Sequence, residues 1–417
     1  MTEPSAAIEA VFREEHGLVL SNLIRTFGDI ELAEDALQDA CLAALVAWVD
    51  EIPRRPGAWL TVTARRKAID RLRRSATLRR KYETIAAGQP AAITDDRGPD
   101  TVLIDDRLRL IFTCCHPALS PDARVALTAK TVGGLTTAEV ARAFLVPEPT
   151  MAQRLVRAKR KIRTANIPYA VPDDTDLPER LSAVLAVIYV IYTEGHNATS
   201  GADVVRAELT AEAIRLATIV DQLLPNEPEV MGLLALMHLQ EARRPARTDD
   251  HGDLVLLPDQ DRSRWDHARI ADAVDLLDRA LRRGVPGPYQ IQAAINAIHA
   301  QAVDAAATDW AQIAVLYTRL AHLTPSPVVE LNRAIAVAMA HGPAAGLRLI
   351  DAIDQLDRYP HYHSARAALL RDIGDDAAAV VAYRRALDLT TSEPERRFLA
   401  ARIAEVRSEG TASRTST

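Results

Sequence analysis

Eleven Lys or Arg residues and one acid, Asp70, fall between Arg54 and Lys81. Cations at that density neutralise phosphates and displace their counterions, which is the chemistry of nucleic-acid binding. A second basic stretch, free of acids, runs from Thr150 to Arg163 and carries Gln153, Arg154, Arg157, Lys159, Arg160 and Lys161. On the first turns of a helix, Gln and Arg can make paired hydrogen bonds to adenine or guanine edges, while later cations hold phosphate. Upstream of both, Glu31, Glu34, Asp35, Gln38 and Asp39 recur at helical spacing and form the polar face of a helix, either solvated or suited to a basic partner.

Other reactive residue types do not assemble into a site. Cys114-Cys115-His116 has zinc-ligand chemistry, but no second Cys pair or His spacing completes four ligands, so buried thiols and no metal are expected. His361 and His363 read as ordinary loop histidines, and Tyr192 to Asn197 as a polar helix terminus satisfying its own backbone. The sequence has no Gly-Lys-Ser/Thr phosphate loop, nucleophile elbow, His-Glu-x-x-His or dinucleotide glycine fingerprint. The expectation is a binding protein, not an enzyme, with no cofactor.

The elements that must position these groups are helices. Aromatics are 4% of the chain and Ala, Leu, Arg and Glu dominate, which favours Ala/Leu-packed helices over strands and predicts an all-α fold. Ile30, Ala33, Leu37, Cys41, Ala44, Leu45 and Trp48 mark the inner face of one helix. After the Pro53–Pro56 turn a second helix places Trp59, Val62, Ile69 and Leu72 inward and its cations outward. Residues 83–106, with Asp95, Asp96, Asp100, Asp105 and Asp106, read as an acidic linker. A helical unit resumes at Arg107. In it Thr136 and Glu139 form a capping box, Pro147 and Pro149 interrupt, and a helix from Thr150 turns Met151, Leu155, Ala158 and Ile162 inward: a helix-turn-helix. Beyond the Pro168–Pro178 joint come amphipathic helices to about residue 405. Ala367, Leu370, Gly374, Ala379, Tyr383 and Ala386 there have the spacing of a tetratricopeptide pair, and 310–357 holds a more degenerate one.

At 417 residues the chain has room for two or three domains. Its formal charge of −6 argues against nucleic acid only when taken whole. Residues 1–167 carry 25 cations against 21 acids and residues 168–417 carry 25 against 35, so a net +4 portion precedes a net −10 portion. Three cysteines point to a reducing compartment. The acidic N-terminus is no secretory signal, and no uncharged run reaches the roughly 18 residues of a membrane span, so a cytoplasmic protein without membrane contact is expected.

Three strings in order carry a family resemblance: Ala33-Glu34-Asp35-Ala36-Leu37-Gln38-Asp39; Pro56-Gly57-Ala58-Trp59-Leu60 with Ala64-Arg65-Arg66-Lys67-Ala68-Ile69-Asp70-Arg71-Leu72-Arg73-Arg74; and Gly134-Leu135-Thr136-Thr137-Ala138-Glu139-Val140-Ala141 with Arg154-Leu155-Val156-Arg157-Ala158-Lys159. Over residues 5–165 the chain resembles the extracytoplasmic-function sigma factors of bacterial RNA polymerase, in the group with a tetratricopeptide-like C-terminal extension. The resemblance implies a region 2 domain at 5–82, a linker at 83–106, a region 4 domain at 107–165 and a helical regulatory domain at 178–406. It implies core RNA polymerase as partner, through the β′ coiled coil and the β flap, and promoter DNA. Asp35, Gln38 and Asp39 would dock on the coiled coil, and Arg65, Arg66, Lys67, Arg71, Arg73 and Arg74 would lie on the minus-10 element, with a base pocket near Ile52–Trp59. Thr150, Gln153, Arg154, Arg157, Lys159, Arg160 and Lys161 would meet the minus-35 element. Asp95, Asp96 and Asp100 would either enter the polymerase RNA path or form a solvated tether. The opposite charges of the two portions permit intramolecular docking of the extension. The alternative reading is a stand-alone helix-turn-helix regulator with a ligand-sensing helical domain.

Overall fold

Among the described residues of this computed structural model, which are 3–48, 52–74, 99–144, 146–196, 200–201, 207–249 and 253–415, regular structure is almost entirely α-helical. Two compact units are present, Met1–Ile191 and Tyr192–Thr417.

The first unit opens with three mutually packed helices, α1 (Glu3–Phe27), α2 (Ile30–Ala47) and α3 (Pro56–Arg74). Gly28 turns the chain between α1 and α2 at φ +67°, a left-handed conformation that favours glycine, and Asp29 caps α2 by accepting from the Glu31 and Leu32 amides. Small residues make the seam between α2 and α3. Ala33, Ala36, Leu37, Ala40 and Ala44 of α2 are buried against Leu60, Ala64, Ala68 and Leu72 of α3. This corrects the inner face read from the sequence: Val62 and Leu45 are 51% and 46% exposed, while Trp59 and Ile69 are half-buried. Alanines at four-residue spacing let the helices approach closely, so the larger residues flank the contact. Gly57 instead faces α1, where a Cβ would lie 2.1 Å from a carboxylate oxygen at the flexible end of the Glu15 side chain.

α4 (Pro99–Cys114), α5 (Pro121–Thr131), α6 (Thr137–Ala143) and α7 (Glu148–Thr164) complete the core of this unit, with α4 packed along α1. The expected linker therefore ends earlier than Asp106: Pro99–Asp106 are helical. Asp95 and Asp96, with the side chains of Asp100 and Asp105, lie outside the described residues. Asp106 is no linker acid. It is fully buried, accepts from Arg25 Nε of α1 (2.6 Å) and Arg109 Nη1 (2.8 Å), and its carbonyl lies 2.9 Å from the Tyr169 hydroxyl, which also reaches the Ser21 carbonyl. Burial pushes the Asp106 pKa up and the two guanidiniums oppose that. Removing one partner of a buried pair is costly. Because Arg25 and Arg109 are 43% and 31% exposed and can rehydrate, Asp106→Ala should cost about 2–3 kcal/mol, read as a lower thermal midpoint by circular dichroism. An unchanged midpoint would show that the pair holds nothing.

The capping box forms in full: the Thr136 amide donates to Glu139 (2.7 Å) and the Glu139 amide to Thr136 Oγ1 (3.1 Å). Pro147 is the N-cap of α7 and Pro149 lies in its first turn, so α7 begins at Glu148, before the expected Thr150. Proline has no intrahelical donor to lose there, and its φ suits the helix start. Met151, Leu155, Ala158 and Ile162 are buried as expected.

α8 (Leu177–His196) begins in the first unit and ends in the second, past the expected joint at Pro168–Pro178. Arg180 donates to the Phe112 carbonyl at 2.8 Å within the first unit. The second unit continues with α9 (Ala207–Leu223), α10 (Pro228–Glu241), α11 (His267–Leu281), α12 (Pro288–Gln301), α13 (Trp310–Leu323), α14 (Pro327–His341), α15 (Pro343–Ile350), α16 (Pro360–Asp372), α17 (Asp376–Leu389) and α18 (Glu393–Thr415). Neighbours in sequence pack on each other throughout, as in a helical array. The tetratricopeptide-like spacing corresponds to α16 and α17, where Ala367, Leu370, Ala379, Tyr383 and Ala386 share one core with Leu399 and Ile403 of α18. A short parallel pair, β1 (Ser200–Gly201) and β2 (Thr391–Ser392), ties the start of this unit to its last helix pair. Tyr192, at the expected polar helix terminus, is fully buried and donates to the Met237 carbonyl.

Candidate nucleic-acid interface

Turning its alanine stripe inward, α3 exposes Arg65, Arg66, Lys67 and Arg73. Arg65, Arg66 and Lys67 have no carboxylate partner among the described residues; Arg73 is 4.0 Å from Asp70, and the side chain of Arg74 is outside them. Arg71 differs. It donates from Nε and Nη2 to Asp39 (3.0 and 2.8 Å) and from Nη1 to Asp35 (2.5 Å), and the Asp39 hydrogen bond raises its pKa further. One expected DNA contact is thus tied to two expected polymerase contacts. Before α3, Arg54 and Arg55 are exposed, whereas Trp59 packs edge-on to Trp48 at 5.2 Å.

On α2, buried and exposed residues fall on opposite sides. Asp35 and Gln38 are exposed and Asp39 is half-buried. Leu42, Leu45 and Val46 continue the same face and are 58%, 46% and 79% exposed. The sequence reading placed Leu45 on the inner face and missed Leu42 and Val46, although these two are surplus to the Ala33–Leu37–Ala44 stripe and so were legible as a second face. Lys67 and Arg71 join Asp39 and Leu42 around a hollow beside it.

On α7, Thr150, Gln153, Arg157, Arg160 and Lys161 are exposed, with Arg157 reaching Gln153 at 3.4 Å. Arg154 is half-buried and 3.5 Å from Asp122 of α5. Lys159 is not on the open face: its ammonium bonds Glu34 of α2, and the two side chains are only 12% and 16% exposed. Arg163 adds a 3.5 Å contact to Glu31. A cavity of about 290 Å³, lined in part by Ile24, Asp29, Glu31, Lys159, Arg163 and Tyr169, lies along this seam. Glu34, read from the sequence as one of the acids on the outer polar face of α2, is therefore an internal ion-pair partner.

Cys114 and Cys115 are buried, and burial pushes the Cys115 thiol up to about 11 and Cys114 well above its ordinary value, so both are protonated thiols. Among the described residues no His, Cys, Asp and Glu group could hold a metal, and no helix is long and apolar enough to cross a membrane.

Family models match three parts of the chain: Sigma-70 region 2 at residues 11–77, Sigma-70 region 4 at 109–162, and a family of unknown function (DUF6596) at 180–281. An uncharacterized protein, R00370, of Rhizobium meliloti (strain 1021) is 42% identical over 386 residues, 90% of each chain. The ECF RNA polymerase sigma factor SigL of Mycobacterium tuberculosis is 32% identical over 168 residues, 38% of this chain and 88% of SigL. The probable ECF RNA polymerase sigma factor SigI of the same species is 30% identical over 166 residues, 39% of this chain, and the match spans only 57% of SigI. Sigma factors are not enzymes; they bind core RNA polymerase and promoter DNA. With region 2 on α1–α3, region 4 on α4–α7 and a helical array beyond them, the chain belongs to the ECF RNA polymerase sigma factors and directs promoter-specific transcription, with a C-terminal extension.

Proposed function

We propose that this sigma factor engages polymerase through the outer face of α2, the minus-10 element through α3 and the minus-35 element through α7. The observation that carries the first assignment is a heptad-like stripe: Asp35, Gln38, Leu42 and Leu45 are spaced three, four and three residues apart and all are exposed. That is the spacing by which a helix joins a coiled coil, and it supports the β′ coiled coil as the partner. Arg65, Arg66, Lys67, Arg73 and Arg74 take the minus-10 phosphates, while Arg71 positions Asp35 and Asp39. Gln153 and Arg157 face bases with Thr150 and Arg154, Arg160 and Lys161 hold phosphate, and the region 4 domain meets the β flap. The setting is cytoplasmic, and the acidic extension tunes activity by contact with the basic portion or the polymerase.

The two DNA elements lie roughly 25 base pairs apart, on the order of 80 Å at duplex rise. In the free chain α3 and α7 both contact α2. A seam that holds them there must open when both elements are bound. Residues 75–98, fully extended, could span about 80 Å, enough for the separation. Lys159, 12% exposed in the closed chain, becomes available to phosphate only after opening.

Transcription from genomic DNA by core enzyme tests the assignment. Core enzyme with this chain should start at a discrete set of promoters and be silent without it. Tight duplex binding by the chain alone, with no promoter opened by core enzyme plus chain, would reject it.

A further inference from the structure

The cavity of about 290 Å³ along the α2–α7 seam is walled by both sigma regions. Ile24 of α1 and Ile30 of α2 come from region 2, Thr113 of α4 and Ile162 of α7 from region 4, and Ile167 with Tyr169 from the segment that follows. Ile24, Ile162 and Ile167 are buried and Ile30 is half-buried, while Gly28 and Asn166 are exposed. The cavity therefore has an apolar floor and a side open to solvent.

The wall chemistry restricts what can enter. Its charges are already answered: Lys159 bonds Glu34, Arg163 lies 3.5 Å from Glu31, and the Asp29 carboxylate accepts from the Glu31 and Leu32 amides. A charged guest would have to break one of these contacts or bring in an unbalanced charge. The two hydroxyls on the wall have also committed their protons. Thr113 Oγ1 donates to the Arg109 carbonyl at 2.8 Å, and Tyr169 Oη shares its proton between the Ser21 and Asp106 carbonyls, each at 2.9 Å. Toward the cavity these oxygens can only accept, so a guest that bonds them must be a donor. Size sets the remaining limit. An apolar cavity of about 150 Å³ holds benzene, so one of about 290 Å³ has room for two fused rings.

We propose that this cavity is a binding site for a small uncharged molecule, an aromatic or branched hydrocarbon frame bearing one N–H or O–H donor, that fastens region 2 to region 4. The donor bonds Thr113 or Tyr169, and the frame packs on the four isoleucines. Burial of the frame supplies the affinity and the single hydrogen bond the orientation. Because the walls come from both regions, the molecule binds only while the seam is closed and withholds the promoter-binding state. The site itself stands on the closed chain, whereas its effect on DNA rests on the proposed opening of the seam.

Indole, neutral with one N–H, is the probe, and indene, the same frame without the donor, is its control. Indole at about ten times its dissociation constant should raise the thermal midpoint of the full chain by about 4 °C, and indene should bind about tenfold more weakly. Ile30→Trp and, separately, Ile167→Trp fill the cavity from two of its walls, and each should lose the response. The comparison of indole with indene needs no variant and decides if neither of them folds. The same concentration of indole should weaken binding of the free chain to minus-35 duplex DNA about tenfold. A midpoint rise that a filling variant abolishes, with DNA affinity unchanged, keeps the site and rejects the opening of the seam. No rise with indole, indene binding as tightly as indole, or an equal rise in parent and filling variants would overturn the proposal.

Discussion

Reversing Asp35 and Asp39 to lysine should weaken the affinity for core RNA polymerase by about a hundredfold or more, close to 3 kcal/mol. The size follows from placing two repulsive charges in a contact that this face enters with two attractive ones. Leu42→Asp should add to the loss, because Leu42 is 58% exposed in the same stripe and would be desolvated on docking. The reversal also sets two lysines against Arg71, which now bonds both carboxylates. Exposed pairs of this kind contribute little, about 0–1 kcal/mol each, so the fold should persist. Adding Arg71→Glu separates the two effects: it restores opposite charges between α2 and α3 without restoring carboxylates to the outer face of α2. Fluorescence anisotropy with labelled core enzyme, beside a circular dichroism melt, reads both. If the triple variant regains polymerase affinity, the carboxylates act only through Arg71 and the docking assignment is wrong.

The helices and their basic faces were legible because they are written locally, in a three-to-four residue period and in caps such as Thr136/Glu139. What local pattern could not reveal is which charges already have partners. Arg71 answers Asp39 across 32 residues, Arg25 answers Asp106 across 81, and Lys159 answers Glu34 across 125. Each of those residues has the composition of a surface charge. Asp106 sat among five linker acids and looked like one of them until α1 placed Arg25 beside it. The inner face of α3 failed for a different reason: hydrophobicity points to Trp59, Val62 and Ile69, whereas close packing selects Ala64 and Ala68.

Glu34→Gln with Glu31→Gln should raise the affinity of the free chain for minus-35 duplex DNA by about ten- to a hundredfold. Lys159 is 12% exposed and its carboxylate partner is Glu34, so neutralising Glu34 leaves a buried ammonium that only opening of the seam can rehydrate. An uncompensated buried charge costs about 3 kcal/mol or more, and a binding-competent state that becomes more populated by that amount tightens apparent affinity in proportion. The Arg25–Asp106–Tyr169 knot still holds α4 to α1 and limits the gain. Two consequences distinguish opening from the mere loss of two negative charges. The salt dependence should steepen by about one phosphate contact, since Lys159 now reaches DNA, and the radius of gyration by small-angle scattering should increase in the absence of DNA. Neutralising the exposed acids Glu148 and Asp174 instead changes charge equally without touching the seam, and should do neither. Tighter binding with an unchanged radius, matched by that control, would mean that α2 does not hold α7 and that region 4 is free to read DNA in the unbound chain.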